Sequence, residues 1–388
     1  MADRVTAIKR EATRVAPSAV ALRRDLHAHP ELGWTERRST YRIAEALEAA
    51  GISPEVRADG VGLHADVGTK PPVVGFRADL DGLRIQEENS VPYRSQVDGV
   101  MHACGHDVHS AIGVGVATAI HRLQPATGVR VFFQPAEEML PGGAQMLREE
   151  GIHEGLRALF AFHVDPSLQP GKLGIKVGPI TSASDKLTIT LGGPGGHTSR
   201  PEQTVDLVSV AAQVALELPA RLGKEINGDQ SLVLAFGRII GGTADNVIPS
   251  AIELGGTVRV NDTELWTHLP ELVEKATRDI VSPLGAEIDI EHRRGSPPVD
   301  NDAGVVAAVR GAAVACLGAE NVVETHQSMG SEDFSWLLQD VPGAMARLGA
   351  ALSDRKVDLH SPRFDVDEST IETGIAVAVE SLLRLAEQ

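Results

Sequence analysis

Eight residues, His102-Ala-Cys-Gly-His-Asp-Val-His109, hold three histidines and one of the chain's two cysteines. Random placement of 14 histidines along 388 residues would put roughly 0.3 of one in such a window. Thiolate, imidazole and carboxylate side by side are donors for a first-row divalent cation, so the stretch points to metal-assisted chemistry. Cys104 and His106 stand two apart around Gly105, and an extended backbone there would turn both toward one point. The thiolate can end on one metal or bridge two.

Further donors lie far away in sequence, each where an apolar run gives way to a loop. Val131-Phe-Phe-Gln-Pro-Ala-Glu-Glu138 delivers two adjacent carboxylates after a proline. Neighbours at a strand end point in different directions, so one can ligate while the other shuttles protons. Leu159-Phe-Ala-Phe-His163 ends an apolar run in a histidine, which by itself is the pattern of a core imidazole. Val357-Asp-Leu-His-Ser-Pro362 presents His360 before a proline turn, and Val74-Gly-Phe-Arg-Ala-Asp79 ends in Asp79, a carboxylate able to orient a ligating imidazole. Gly192-Gly-Pro-Gly-Gly-His197 lacks the Gly-Lys-Ser/Thr of a phosphate loop. Its glycines instead permit a close backbone approach that presents His197.

The elements that must position these groups follow from periodicity. Helical spacing covers residues 5–26 and 35–50, the second with Thr35 as N-cap. Apolar runs at 62–67, 73–80, 129–133 and 158–164 alternate with helical stretches at 109–123 and 143–150. Such alternation predicts an α/β layer with a mostly parallel sheet, whose strand ends are where open sheets place their sites. Beyond Ser182 the runs 186–191, 231–239 and 252–260 alternate in and out, with helical stretches at 206–218 and 264–280. That texture predicts a small α+β domain with an antiparallel sheet. The α/β texture returns with helices at 303–317, 334–338 and 369–385 and a strand at 344–349. The expected architecture is therefore a larger domain of residues 1–183 and 295–388, with residues 184–294 inserted.

Composition narrows the partners. A net charge of −17 argues against nucleic acid as a partner and disfavours anionic membranes. No window approaches 18 apolar residues, and the basic, charged N-terminal stretch has no apolar signal core. Cys104 and Cys316 cannot make a disulfide framework, so a reducing compartment, the cytoplasm, is expected.

Taken together the segments resemble the M20 metallopeptidase family, and within it the amidohydrolase branch of hippurate hydrolases, N-acyl-amino-acid amidohydrolases and auxin-conjugate hydrolases. The matching segments are Arg24-Asp-Leu-His-Ala-His-Pro-Glu-Leu32, Phe76-Arg-Ala-Asp-Leu-Asp81, Met101-His-Ala-Cys-Gly-His-Asp107 and Gln134-Pro-Ala-Glu-Glu138. They continue in family order with Gly195-Gly-His197, Asn246-Val-Ile-Pro249, Gly330-Ser-Glu-Asp-Phe334 and Leu359-His-Ser-Pro362. The resemblance implies a zinc-peptidase-like catalytic domain and an inserted dimerisation (lid) domain. It implies one or two divalent ions (Mn, Zn, Co or Ni) held by Cys104, His106, Glu138, His163 and His360. It makes Glu137 the general base and His197 a transition-state histidine of the lid that reaches the partner's active site, hence a homodimer. Asn246 and Arg259 match lid residues near the substrate. The chain departs from the family at Arg84, where proline is usual, and at Ser296, where tyrosine is frequent.

The expected reaction is hydrolysis of a small N-acyl amino acid to a carboxylic acid and a free amino acid. The metal would acidify water, Glu137 would relay its proton to the leaving amine, and metal and His197 would share the oxyanion. Within enzymes the rivals are a deacetylase of an amino-acid biosynthetic intermediate and a dipeptidase or carboxypeptidase. Outside enzymes the rival is a metal-binding sensory module, which has no use for Glu137.

Overall fold

Four apolar strands, Gly128–Gln134, Pro72–Asp79, Ala158–Asp165 and Gly343–Gly349, lie side by side and mutually parallel at the centre of an eight-stranded sheet. Nearly every residue in them is buried, as parallel strands covered on both faces require. The structure is a computed structural model and describes residues 2–226 and 231–388. The chain divides into two compact units: one of Met1–Ile180, Val299–His326 and Asp333–Gln388, the other of Thr181–Pro298 and Gln327–Glu332.

In the larger unit short strands flank the parallel centre: Glu55–Val56 and Leu63–Gly68 on one side, Leu173–Gly174 and Val322–Val323 on the other. The helices Ala2–Ala28, His106–Leu123, Ala303–Leu317 and Ser369–Glu387 pack together on one face, over a core that includes Phe76, Phe160, Ile112 and Ile375. On the opposite face, Gly143–Glu149 and the Asp333–Gln339 3-10 helix enclose a second core around Phe132, Leu159 and Phe334. The chain's first and last helices are joined by Arg4, whose Nε donates to Glu380 at 3.0 Å.

The smaller unit has a four-stranded antiparallel sheet in the order Leu232–Gly241, Ala251–Val260, Ala183–Gly192, Glu287–Arg293. Burial alternates along Ala183–Gly192, as one solvated face demands. Its helices, Leu207–Leu222 and Thr263–Val281, start at Asp206 and Asp262, whose carboxylates accept first-turn N–H groups.

Local expectations fail at identifiable points. Thr35 is not the N-cap: its hydroxyl donates to Leu32 O, and Glu31 takes the N–H groups of Arg38 and Ser39 instead. The helix expected at 109 starts at His106, the one expected to end at 218 runs through Pro219 to Leu222, and the short helix near 334–338 is a 3-10 helix. Among the described residues no helix is long and apolar enough to cross a membrane.

Candidate metal centre

The centre is built on the C-terminal ends of three parallel strands, where open α/β sheets carry their ligands. Pro72–Asp79 delivers Asp79 and, two residues on, Asp81; Gly128–Gln134 leads to Glu137 and Glu138; Ala158–Asp165 carries His163. Cys104 and His106 arrive from the loop that opens the His106–Leu123 helix. The expected extended backbone between them is not there. Gly105 sits in the left-handed region at φ +88°, and a Cβ in its place would collide with Val164. That tight turn, rather than an extended strand, brings the ligand atoms of Cys104, His106 and Glu138 within 4.8 Å of one another.

Hydrogen bonds sort the three histidines of the cluster and its neighbour His163. His106 Nδ1 meets Asp81 Oδ1 at 3.1 Å, which leaves its buried Nε2 without a hydrogen-bond partner. His163 Nδ1 donates to Val164 O at 2.8 Å, and its Nε2 lies 3.4 Å from Cys104 Sγ. In both rings the partner on Nδ1 aims the Nε2 lone pair at the centre, the usual device for holding a ligating imidazole. His109 is saturated: Nδ1 donates to Asp79 Oδ1 at 2.7 Å while Nε2 accepts from Val164 N at 2.9 Å. A ring that donates at one nitrogen and accepts at the other is neutral and has no lone pair left for a metal. Asp79 therefore orients His109, while Asp81 orients His106. His102 is fully buried with both nitrogens unpartnered.

Asp81 does more. Its Oδ1 accepts from Glu137 N at 3.1 Å and its Oδ2 from Glu138 N at 3.0 Å, so one buried carboxylate fixes a ligand imidazole and both acidic residues. Glu138 Oε1 is buried without a hydrogen bond and lies 3.2 Å from His360 Nε2; Glu137 Oε2 lies 3.9 Å from His106 Nε2. His360 itself is a left-handed residue, φ +61°, pinned through its N–H to Ala103 O at 2.8 Å.

The electrostatics divide the imidazoles. Burial lowers the pKa of His106, but Asp79, Asp81 and Cys104 outweigh it and hold the ring well above its ordinary value. Burial and Arg347, its cross-strand neighbour, push His163 well below. Cys104 and Glu138 push His360 up to about 10. A ligating imidazole must be neutral, so a metal at His106 or His360 would have to displace a proton. The unsatisfied Nε2 of His106 and Oε1 of Glu138, facing a thiol and two further imidazoles, fit a borderline divalent cation.

Behind the centre Arg23 is fully buried, donating to Asp107 Oδ2 at 2.7 Å and Asp365 Oδ1 at 2.8 Å. Asp107 also bonds His27 at 2.8 Å, and these cations overcome burial to hold its carboxyl far below the carboxylate range. The first helix, the start of the ligand helix and the segment after His360 are thereby locked together.

The remaining expected residues lie in the smaller unit. His197 is exposed on the short strand Gly196–His197, paired with Val247–Ile248, and its Nδ1 accepts from Ser199 N at 3.1 Å. In the neutral ring that bond puts the proton on Nε2. Asn246 lies beside it, its carbonyl accepting from Thr198 N at 3.2 Å. Arg259, on Ala251–Val260, donates to Met329 O at 2.7 Å.

Asp81 carried no assigned role in the sequence, although it stands two residues after Asp79 at a strand exit. Only the register of the turn reveals which of the two carboxylates faces the ligand ring.

Comparison with known proteins gives the family. Residues 75–384 match the description of peptidase family M20/M25/M40. The chain is 35% identical over 360 residues to the N-acetylcysteine deacetylase of Bacillus subtilis (strain 168), covering 91% of this chain and 92% of that one. It is 37% identical over 298 residues to the N-acyl-L-amino acid amidohydrolase of Geobacillus stearothermophilus, covering 76% and 80%. A Rhodococcus jostii (strain RHA1) protein with a glutamate–cysteine ligase name is 41% identical over 371 residues, but this chain spans only 47% of its length. Among solved structures, a dinuclear metal-binding peptidase of the M20 family from Bacillus subtilis superposes with a TM-score of 0.85 at 32% identity, covering 97% of this chain and 99% of that one. The chain belongs to peptidase family M20, in its amidohydrolase branch, and is a metal-dependent amide hydrolase.

Proposed function

We propose that the chain cleaves the amide bond of N-acyl amino acids, whether hippurate-like, N-acetyl or indole-acetyl, to a carboxylic acid and a free amino acid. The observation that carries this reading is the pair Glu137–Glu138 on one turn, with Glu138 among the donor atoms and Glu137 Oε2 3.9 Å from the ligand nitrogen of His106. Cys104, His106, Glu138, His163 and His360 would hold one or two divalent ions, Mn, Zn, Co or Ni. A cation there supplies Lewis acidity to water and to the scissile carbonyl.

The chain's own residues do the rest. Glu137 takes the proton of the attacking water and hands it to the departing amine nitrogen. His197, with Nδ1 already engaged, offers Nε2–H to the developing oxyanion. Arg259 and Asn246 receive the substrate's free carboxylate. In this reading the larger unit is the catalytic domain and the smaller one the lid.

The lid is also the homodimer contact. Leu232–Gly241 is an edge strand whose Ile239 and Ile240 are more than half exposed, a liability that pairing with a second copy removes. A buried thiol ligand suits a reducing compartment, the cytoplasm. The name of the Bacillus subtilis relative favours one narrower variant, an N-acetyl substrate.

The test is release of free amino acid from benzoyl-glycine, N-acetyl amino acids, indole-acetyl-alanine, N-acetyl-diaminopimelate and dipeptides. The protein is first stripped with chelator and then supplied with Mn, Zn, Co or Ni. Metal-dependent release from the N-acyl compounds is expected. Release from dipeptides alone would replace the reading with a dipeptidase, and metal binding without release would favour a sensory role.

A further inference from the structure

Glu36 belongs to none of the ligand segments, yet its side chain is completely buried. It stands at the N-cap of the Arg37–Ala49 helix without capping it, because Glu31 already occupies Arg38 N and Ser39 N. Its Oε1 instead accepts from Ala136 N at 2.7 Å. Ala136 is the residue before Glu137 and one of few non-glycine residues in the left-handed region, at φ +53°. For an alanine that conformation costs roughly 1–2 kcal/mol, so it must be held by its surroundings. The holding is visible at both ends of the residue: the N–H goes to Glu36, and the carbonyl accepts from Gly143 N at 3.1 Å.

The next two amides, Glu137 N and Glu138 N, go to Asp81. Three successive N–H groups therefore curl around two buried carboxyls. Asp81 serves the base and the ligand alike, but Glu36 acts one residue upstream of the base. Burial, together with the neighbouring charge of Asp81, pushes Glu36 up to about 8. Its other oxygen, Oε2, is buried without a hydrogen-bond partner, so a glutamine side chain that keeps Oε1 keeps the acceptor Ala136 N uses.

We propose that Glu36 is a positioning residue for hydrolysis: by holding Ala136 N–H it keeps the left-handed turn that aims Glu137. This rests on Glu137 being the base. A displacement of about 1 Å at a catalytic group can cost on the order of 100-fold in rate. Glu36→Ala and Glu36→Asp, which lose or shorten the reach to Ala136, should lower kcat about 100-fold. KM and bound Mn per subunit should stay at wild-type values, because Asp81 still holds Glu138. Glu36→Gln should stay within about twofold of wild type.

A second readout does not depend on turnover. In the metal-free protein, hydrogen–deuterium exchange of the peptide containing residues 135–138 should accelerate in the Ala and Asp variants and not in Gln. Wild-type kcat in Glu36→Ala, equal losses in Gln and Ala, Mn loss parallel to kcat loss, or unchanged exchange would each overturn the proposal. If Glu36→Ala does not fold, the Asp and Gln pair decides. Full activity in Glu137→Gln would instead remove the base assignment, while the exchange result would still report whether Glu36 holds the turn.

Discussion

The two groups of functional residues are built in opposite ways. In the larger unit Cys104, His106 and His163 are each under a tenth exposed, and every ring nitrogen of the two imidazoles either has a partner or faces the donor cluster. In the smaller unit His197 and Asn246 are exposed, the His197 ring accepting from Ser199 N at 3.1 Å and the Asn246 backbone carbonyl from Thr198 N at 3.2 Å. The first arrangement is preorganised for a cation whose position must not vary. The second suits groups that meet a substrate only when it arrives, at little cost in local stability. Burial thus sets Cys104, His106 and His163 apart from the proposed substrate groups, while His360, proposed as a fifth ligand, is 52% exposed at its side chain.

That division can be broken by substitution. Within the buried group, Glu137→Gln should lower kcat by about 10⁴-fold, the upper range for a general base, with metal content unchanged. Glu138→Ala should lose the metal itself, as elemental analysis of the purified protein will read; equal metal content in both variants would erase the distinction between base and ligand. Arg23→Ala strands the buried carboxylates of Asp107 and Asp365 and should cost ~3–5 kcal/mol in urea unfolding. A loss below about 1 kcal/mol would mean that Arg23 is not what locks the ligand helix.

The exposed group should respond differently. His197→Ala should lose ~10²–10³-fold in kcat while keeping wild-type metal, the scale of one oxyanion donor. Mixing it with Glu137→Gln protein and allowing subunits to exchange should restore part of the activity; continued silence would place His197 within its own chain's reaction. The smallest effect is expected at Arg259→Met, a rise in KM of about tenfold for N-acyl amino acids, worth ~1.4 kcal/mol. Substrates with an amidated carboxyl should show no such rise. A kcat defect instead would move Arg259 from binding to chemistry.

The α/β layer was legible in the sequence because its central strands are apolar runs of five to eight residues, two of which carry Asp79 and His163 near their ends. What stayed hidden depended on turns. Gly105 and Ala136 both adopt left-handed conformations that spacing alone does not announce, and each redirects the chain by one residue. The choice between Asp79 and Asp81, and the saturation of His109, follow from that redirection and could not be read before it. Thr35 looked like a cap because its type is right, but Glu31 reaches the same amides from outside the helix. The hexapeptide Gln327–Glu332 joins the smaller unit although it lies beyond that unit's main segment, and no change of texture marks it.

The interrupted larger unit imposes an order of events during synthesis. Between Asp165 and its neighbour strand Gly343–Gly349 comes the entire segment Thr181–Pro298, and His360 emerges later still. A growing chain can complete the smaller unit's sheet while the catalytic sheet still lacks its fourth central strand. The proposed ligand set is complete only once His360 has been made. Until Gly343–Gly349 is made, Ala158–Asp165 and Leu173–Gly174 each lack that neighbour, and the sheet that carries the site stands open at two strand edges.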